Sequence, residues 1–137
     1  EVFALLLELH KAGGLFPLDV KRAAGSTWAT LQERMTFLAR DSEGTAVGVL
    51  MLTKDEPYYS ATPFLASRDF YVRPEHRGRA GVQLLRAAGN EAQRLGLLCF
   101  VQIDNPDRRS KNTPMTLMAQ EAGFIPLGYT LSLTPKA

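Results

Sequence analysis

The chain is poor in the features that would settle its chemistry at once. It holds one cysteine, Cys99, which excludes an internal disulfide and fits a reducing compartment such as the cytoplasm. No apolar run approaches the roughly 20 residues that cross a bilayer, so no membrane partner is expected. No signal-peptide pattern opens the chain. The net charge of +2 is too small to argue for nucleic acid. The basic residues gather locally, at Arg73/Arg77/Arg79/Arg86 and at Arg108/Arg109/Lys111, without interleaved aromatics, and a polyanion-binding domain is therefore the weakest reading. No cluster of His, Cys, Asp and Glu stands at metal-ligand spacing, so no metal is expected. The Gly-Lys-Ser/Thr of a P-loop and the Gly-x-Gly-x-x-Gly of a dinucleotide fold are both absent.

With 45% hydrophobic and 22% charged residues, the sequence reads as an ordinary globular chain, and residues 1–137 are taken as one domain with one substantial core. Val2 to Lys11 reads as a buried helix stopped by Gly13-Gly14, with His10 a helix-end residue. Pro17 to Arg22 reads as loop or short helix, and Ser26 as the cap of a second helix reaching Glu33. Met35 to Arg40 and Ala46 to Thr53 make a strand pair joined by a hairpin turn at Asp41-Ser-Glu-Gly44. A polar, aromatic loop from Lys54 to Pro63 leads to a third strand, Phe64 to Val72.

Leu84, Leu85, Ala88, Ala92 and Leu95 then share one face of a helix that Gly96 ends, and Gly89 within it allows close packing on the sheet. Leu97 to Ile103 reads as a strand buried on both faces, with Cys99 a buried structural thiol. Thr113 to Glu121 reads as the last helix and Phe124 to Leu133 as the last strand. This order predicts an α/β fold, a mixed sheet with helices on both faces.

The chemically informative stretch is Val72 to Leu85, Val-Arg-Pro-Glu-His-Arg-Gly-Arg-Ala-Gly-Val-Gln-Leu-Leu. A strand that opens through a Gly-containing turn into a helix aims unpaired N–H groups and a positive dipole end at one point, which suits a phosphate or pyrophosphate. Arg77 and Arg79 add charge with a geometry matched to phosphate oxygens, while His76 reads as solvent-facing. The stretch resembles the pyrophosphate-binding signature of the GNAT family of N-acetyltransferases, Arg/Gln-x-x-Gly-x-Gly/Ala, in its usual context Val-x-Pro-x-x-Arg-Gly before the turn and Leu-Leu after it. Val72, Pro74, Arg77, Gly78, Leu84 and Leu85 match. Counted from Arg77, the two small positions fall on Ala80 and Val82, with Gly81 between them, and Val82 is bulkier than the family norm. A second match lies downstream: Asn112 and, eleven residues on, Gly123-Phe124. From the residues alone, Asn112 is an N-cap before Thr113-Pro114.

The resemblance implies a GNAT-like mixed, mostly antiparallel sheet whose first strand would lie before Val2. It implies acetyl-coenzyme A as cosubstrate and no metal, with direct transfer to a primary amine on a small molecule or peptide. The implied coenzyme site comprises Phe70, Tyr71, Val72, Arg77, Gly78, Arg79, Ala80, Gly81, Val82 and Asn112. Homodimerisation stays open. Strand parity puts Asp69 and Tyr71 on one face and Arg68, Phe70 and Val72 on the other. Asp69 is thus the first candidate base, because the family's carboxylates often come from this strand, and Glu56 is a weaker one. The family often carries a Tyr four residues before that Gly as the acid for the departing thiolate, and this chain has Ala119. Tyr58, Tyr59 and Tyr129 are the available replacements. The missing Tyr and the bulky Val82 keep a second reading alive, a coenzyme-binding module of the same fold without catalysis.

Overall fold

Asp41 closes the first hairpin. Its carboxylate accepts N–H bonds from Glu43 and Thr45, both at 2.9 Å, and Gly44 takes the positive φ of 83° at the turn. The strands it joins, β1 (Thr36–Arg40) and β2 (Ala46–Asp55), pair antiparallel, and β2 pairs antiparallel with β3 (Phe64–Val72). β4 (Leu98–Phe100) runs parallel to β3 on its other side, giving the sheet order β1-β2-β3-β4. Helices α1 (Val2–Gly13) and α2 (Val20–Leu31) precede the sheet. After a 3-10 turn at Pro74–His76, α3 (Arg79–Leu95) connects β3 to β4, and α4 (Pro114–Glu121) follows. This computed structural model describes residues 1–13, 16–103, 114–128 and 133.

The continuous apolar run of β2 is explained by burial on both faces. Leu50 and Leu52 point to one side, where Leu65, Val72, Ala80, Leu84 and Ala88 complete a core beneath α3. Val49 and Met51 point to the other, where Val2, Leu5, Leu6 and Tyr71 form a second core beneath α1. The sheet is therefore mixed, mostly antiparallel and covered on both faces. Gly48 sets the approach of α3. A Cβ there would stand 3.1 Å from Leu84 Cδ1 and 3.2 Å from Val72 Cγ2, so the helix sits on the sheet at a distance only glycine leaves comfortable. The helix ends as expected at Gly96, in the left-handed region with φ 69°.

Several expectations change. The cap of α2 is Asp19, whose carboxylate accepts from Arg22 N at 3.0 Å, and Ser26 lies inside the helix. Asp at the N-cap satisfies an orphan N–H of the first turn, so the helix starts before Ser26, its expected cap. Gly89 faces Phe124 rather than the sheet, and Leu95 is exposed. β4 is shorter than Leu97 to Ile103 and buried on one face only. Leu97, Cys99 and Val101 pack toward the α3 core, whereas Leu98, 71% exposed, and Phe100 point outward. Residues 124–128 adopt no strand, and most of the rest of the expected last strand lies outside the described residues.

Replacing Gly48 by Val should push α3 off the sheet. Overpacking of this kind typically costs about 1–3 kcal/mol, and urea unfolding of the variant should show that loss in the midpoint with an unchanged slope.

Candidate functional site

β3 is paired very unequally on its two sides. β2 follows it from Phe64 to Val72, while β4 meets only Phe64, Leu65 and Ala66. At the next position the Ser67 hydroxyl accepts Gln102 N–H at 2.8 Å, a side chain standing where a ladder bond would fall. Arg73 N donates to Val47 O at 2.9 Å, on the β2 side. By alternation the backbone groups of Phe70 and Val72 face the opposite edge, which has no strand partner among the described residues. Such an edge accepts an extended chain bearing amides. Arg77 Nε donates to Val72 O at 3.2 Å, so one acceptor on this edge is already engaged.

The edge runs directly into the helix end. Gly78 holds φ 111° and ψ −97°, a conformation that L side chains rarely adopt. The first helical bond is Val82 N to Gly78 O at 3.0 Å, and no side chain caps the turn. The N–H groups of Arg79, Ala80 and Gly81 thus emerge at the positive end of a 17-residue helix without a side-chain partner among the described residues. An open cleft of about 510 Å³ lies here, lined by Gly78, Arg79, Val82, Gln83, Arg86 and Glu121. Orphaned amides and two guanidiniums fit a phosphate-bearing ligand. Glu121 is the one carboxylate in the lining, and Val82 narrows the cleft where a smaller residue was expected.

The arginines that look like one cluster in sequence separate in space. Arg79 and Arg86 line the cleft. Arg73 turns to the α1 side, where Nε meets the Glu8 carboxylate at 3.0 Å and Nη1 donates to Ala46 O at 3.2 Å. Tyr71 is buried on that same side. Burial first, and then the Glu8 carboxylate, raise its pKa above 10.0 against the opposing pull of Arg77 and Arg73, so its hydroxyl stays protonated at neutral pH.

Asp69 and Tyr71 share the face opposite Phe70 and Val72, as parity required, but Arg68 does not follow. A bulge lies between Met51 and Leu52: Met51 pairs with Asp69, and Leu52 with Ser67. The extra residue, Arg68, turns to the Asp69 side, placing Nε 3.4 Å from Asp69 Oδ2. The Asp69 side chain is only 12% exposed, and Oδ2 is buried without a hydrogen-bond partner among the described residues. A buried carboxylate with an unused lone pair is geometrically suited to accept a proton or an N–H bond. Nothing in the spacing marked Arg68 in advance, although the charged pair Arg68-Asp69 within an apolar strand is the kind of interruption that accompanies a bulge.

The remaining candidates scatter. Glu56 lines a separate shallow depression of about 360 Å³ with Lys54, Asp55 and Pro63. Tyr58 and Tyr59 stack edge to face at 5.3 Å on an exposed loop. Ala119 is buried. His76 is partly buried at the end of the 3-10 turn, not fully solvent-facing. Asn112, Tyr129 and the Arg108/Arg109/Lys111 group lie outside the described residues. Among the described residues no helix is long and apolar enough to cross a membrane.

The model of the acetyltransferase (GNAT) family matches residues 6–124. The chain belongs to the GNAT family. Its fold is similar to that of integron cassette protein HFX_CASS3 from the mobile metagenome of Cole Harbour Salt Marsh, with TM-score 0.69 and 23% identity over 98% of this chain and 82% of that one. It is also similar to the aminoglycoside antibiotic 6'-N-acetyltransferase AAC(6')-Ih of Acinetobacter baumannii, with TM-score 0.61 and 16% identity over 98% and 90%. A third likeness is to the aminoglycoside antibiotic 6'-N-acetyltransferase AAC(6')-IG of Acinetobacter haemolyticus, with TM-score 0.55 and 19% identity over 89% and 85%. At these identities the likenesses establish the fold. No curated protein matches the chain. GNAT proteins use acetyl-coenzyme A, and the amides and guanidiniums at the start of α3 are chemically suited to its pyrophosphate.

Cys99 gives this GNAT protein a test of burial. Desolvation raises its pKa above 9.0. The stability this contributes is complete below the ordinary thiol pKa and is lost as pH rises through the raised value. The thiolate is the reactive form, so iodoacetamide near pH 7.5 should alkylate Cys99 at least about tenfold more slowly in the folded protein than in urea. Mass spectrometry reads the outcome, and equal rates would place the thiol at the surface.

Proposed function

We propose that this GNAT protein, acting as one domain in a reducing compartment, moves the acetyl group of acetyl-coenzyme A to a primary amine by direct attack. The observation that carries the proposal is the junction of the free Phe70–Val72 edge with the uncapped N-terminus of α3. In this reading the backbone edge at Phe70 and Val72 takes the extended amide-bearing arm of the coenzyme, while Tyr71 between them, expected at the coenzyme, turns its backbone to β2 and its ring to the α1 core. The amides of Arg79, Ala80 and Gly81 take its pyrophosphate, with Arg77 and Arg79 adding charge; Asn112, expected near the arm, lies outside the described residues. Arg77 gives up its bond to Val72 O if that carbonyl is needed.

When bound, the coenzyme supplies an activated thioester. Asp69 accepts the proton that the amine loses as its nitrogen bonds to the acetyl carbon and the carbon–sulfur bond breaks. No hydroxyl stands at Ala119 to protonate the departing thiolate, so that proton comes from water or from Tyr129. Free thiols titrate around 8.5, which makes the thiolate a tolerable leaving group without a dedicated acid. A small-molecule amine is the proposed acceptor, in keeping with the aminoglycoside 6'-N-acetyltransferases of similar fold, and a peptide amine satisfies the same chemistry. The buried methyl of Ala119 also favours one second reading, a module that binds the coenzyme without turnover.

Acetyl-coenzyme A should raise the melting temperature, whereas acetate and ATP do much less. A ligand at 100 times its dissociation constant adds about 2.7 kcal/mol. Gly78→Asp should abolish the shift, because it places a carboxylate at the amides and forces a side chain into a glycine conformation. Arg77→Ala should weaken binding by about 1.5–3 kcal/mol, the usual cost of a charge-assisted hydrogen bond. No shift at millimolar coenzyme would sink the proposal.

Turnover, followed by thiol release over an amine panel, should rise with pH toward the pKa of the amine, near 10.4 for a lysine-like group. Tight coenzyme binding with no thiol release from any amine would favour the second reading.

A further inference from the structure

The helix α2 is held to the sheet in an unusual way. A surface helix normally docks by burying an apolar stripe. The fully buried residues of α2 are Thr27 and Thr30, while Val20 and Trp28 are exposed and only Leu31, at its end, packs partly on the α1 core. Gly25, Ser26 and Thr27 sit mid-helix, where their propensities are weak. What reaches α2 from the sheet is the guanidinium of Arg68. Its Nη1 donates to Ser26 O at 2.9 Å and to Thr30 Oγ1 at 2.6 Å, and Thr30 Oγ1 itself donates to Ser26 O at 3.0 Å. The same guanidinium places Nε 3.4 Å from Asp69 Oδ2. Only the bulge makes this arrangement reachable, because regular alternation would send Arg68 to the α3 face.

The sheet face that carries Arg68 also has unmet polar chemistry. Thr36, Met51 and Asp69 form one row across β1, β2 and β3. At its two ends, Thr36 Oγ1 and Asp69 Oδ2 are buried without hydrogen-bond partners among the described residues. Asp69 Oδ2, the orphan beside Arg68, suits a donor-rich ligand, and a primary amine or ammonium brings two or three N–H donors; Thr36 Oγ1 lies two strands away across Met51.

The geometry points to Arg68 as a positioning residue for the acceptor. It latches the C-terminal half of α2 over β3 and holds the Asp69 carboxylate in place, so that an amine entering beneath α2 meets a formed site. This rests on the proposed transfer to an amine. Arg68 acts through α2 and Asp69 and touches neither the cleft nor the α3 N-terminus.

Hydrogen exchange and kinetics together test it. Arg68→Ala should speed exchange at the amides of Thr27 to Leu31 while those of β2 and α3 stay protected. It should raise the amine KM about tenfold or more, as expected for losing charge-assisted bonds, and leave the acetyl-coenzyme A melting shift unchanged. Thr30→Val keeps the shape and removes one acceptor, so it should move both readouts in the same direction by less. Arg68→Lys keeps charge beside Asp69 without the fork to α2 and should fall between parent and Ala. Unchanged exchange in α2 on Arg68→Ala overturns the inference, and so does a loss of protection spread evenly over sheet and helices. A parent protein that acetylates no amine overturns the proposed function instead, and exchange in α2 still decides whether Arg68 is the latch.

Discussion

The pairing of β3 governs most of what this structure can do. Along one side β2 satisfies it to its last residue, which fixes the strand rigidly and positions Val72 above Gly48. Along the other, pairing with β4 stops after Ala66. Had β4 continued, the backbone groups of Phe70 and Val72 would be consumed by the ladder and no ligand could use them. Instead the strand delivers a free edge straight to Gly78, whose backbone conformation turns the chain into α3 with its first amides unspent. The edge and the helix end therefore form one continuous run of hydrogen-bonding groups, the edge for an amide chain and the helix end for an anion.

The chemistry of this protein is then divided between two faces of one strand. Tyr71 and Asp69 look toward α1 and α2, and Phe70 and Val72 toward α3, so an acceptor and a coenzyme can approach the same edge from different layers. Charge is divided similarly. Arg73 is used up by Glu8 and Ala46 on the α1 side, while Arg79 and Arg86 remain at the cleft. The carboxylate of Glu121 stands with these arginines in the cleft. At Ala119 no proton donor is available.

Much of this was legible in the sequence because the decisive points are marked by residues with few conformational substitutes. Asp41 and Gly44 announce the hairpin, Gly96 the helix end, and Arg77-Gly78 the strand-to-helix turn. The bounds expected for β3 coincide with those observed. Where the reading failed, tertiary structure decided. Alternation cannot foresee a bulge, so Arg68 was assigned to the wrong face. Proximity in sequence suggested one arginine cluster, yet a turn between Arg73 and Arg79 sends its members to opposite layers. Ser26 reads as a helix cap until Asp19 supplies the better one. Leu98 and Phe100 looked buried because an apolar strand does not record how many of its faces are covered.

The sheet separates two cores that never touch. Leu50, Leu65 and Leu84 belong to one, and Leu5, Val49 and Met51 to the other. Side chains divided by a layer of backbone share few partners, so damage on one side should combine with damage on the other nearly additively. Such a partition lets the side chains of one layer change while the other layer keeps its shape.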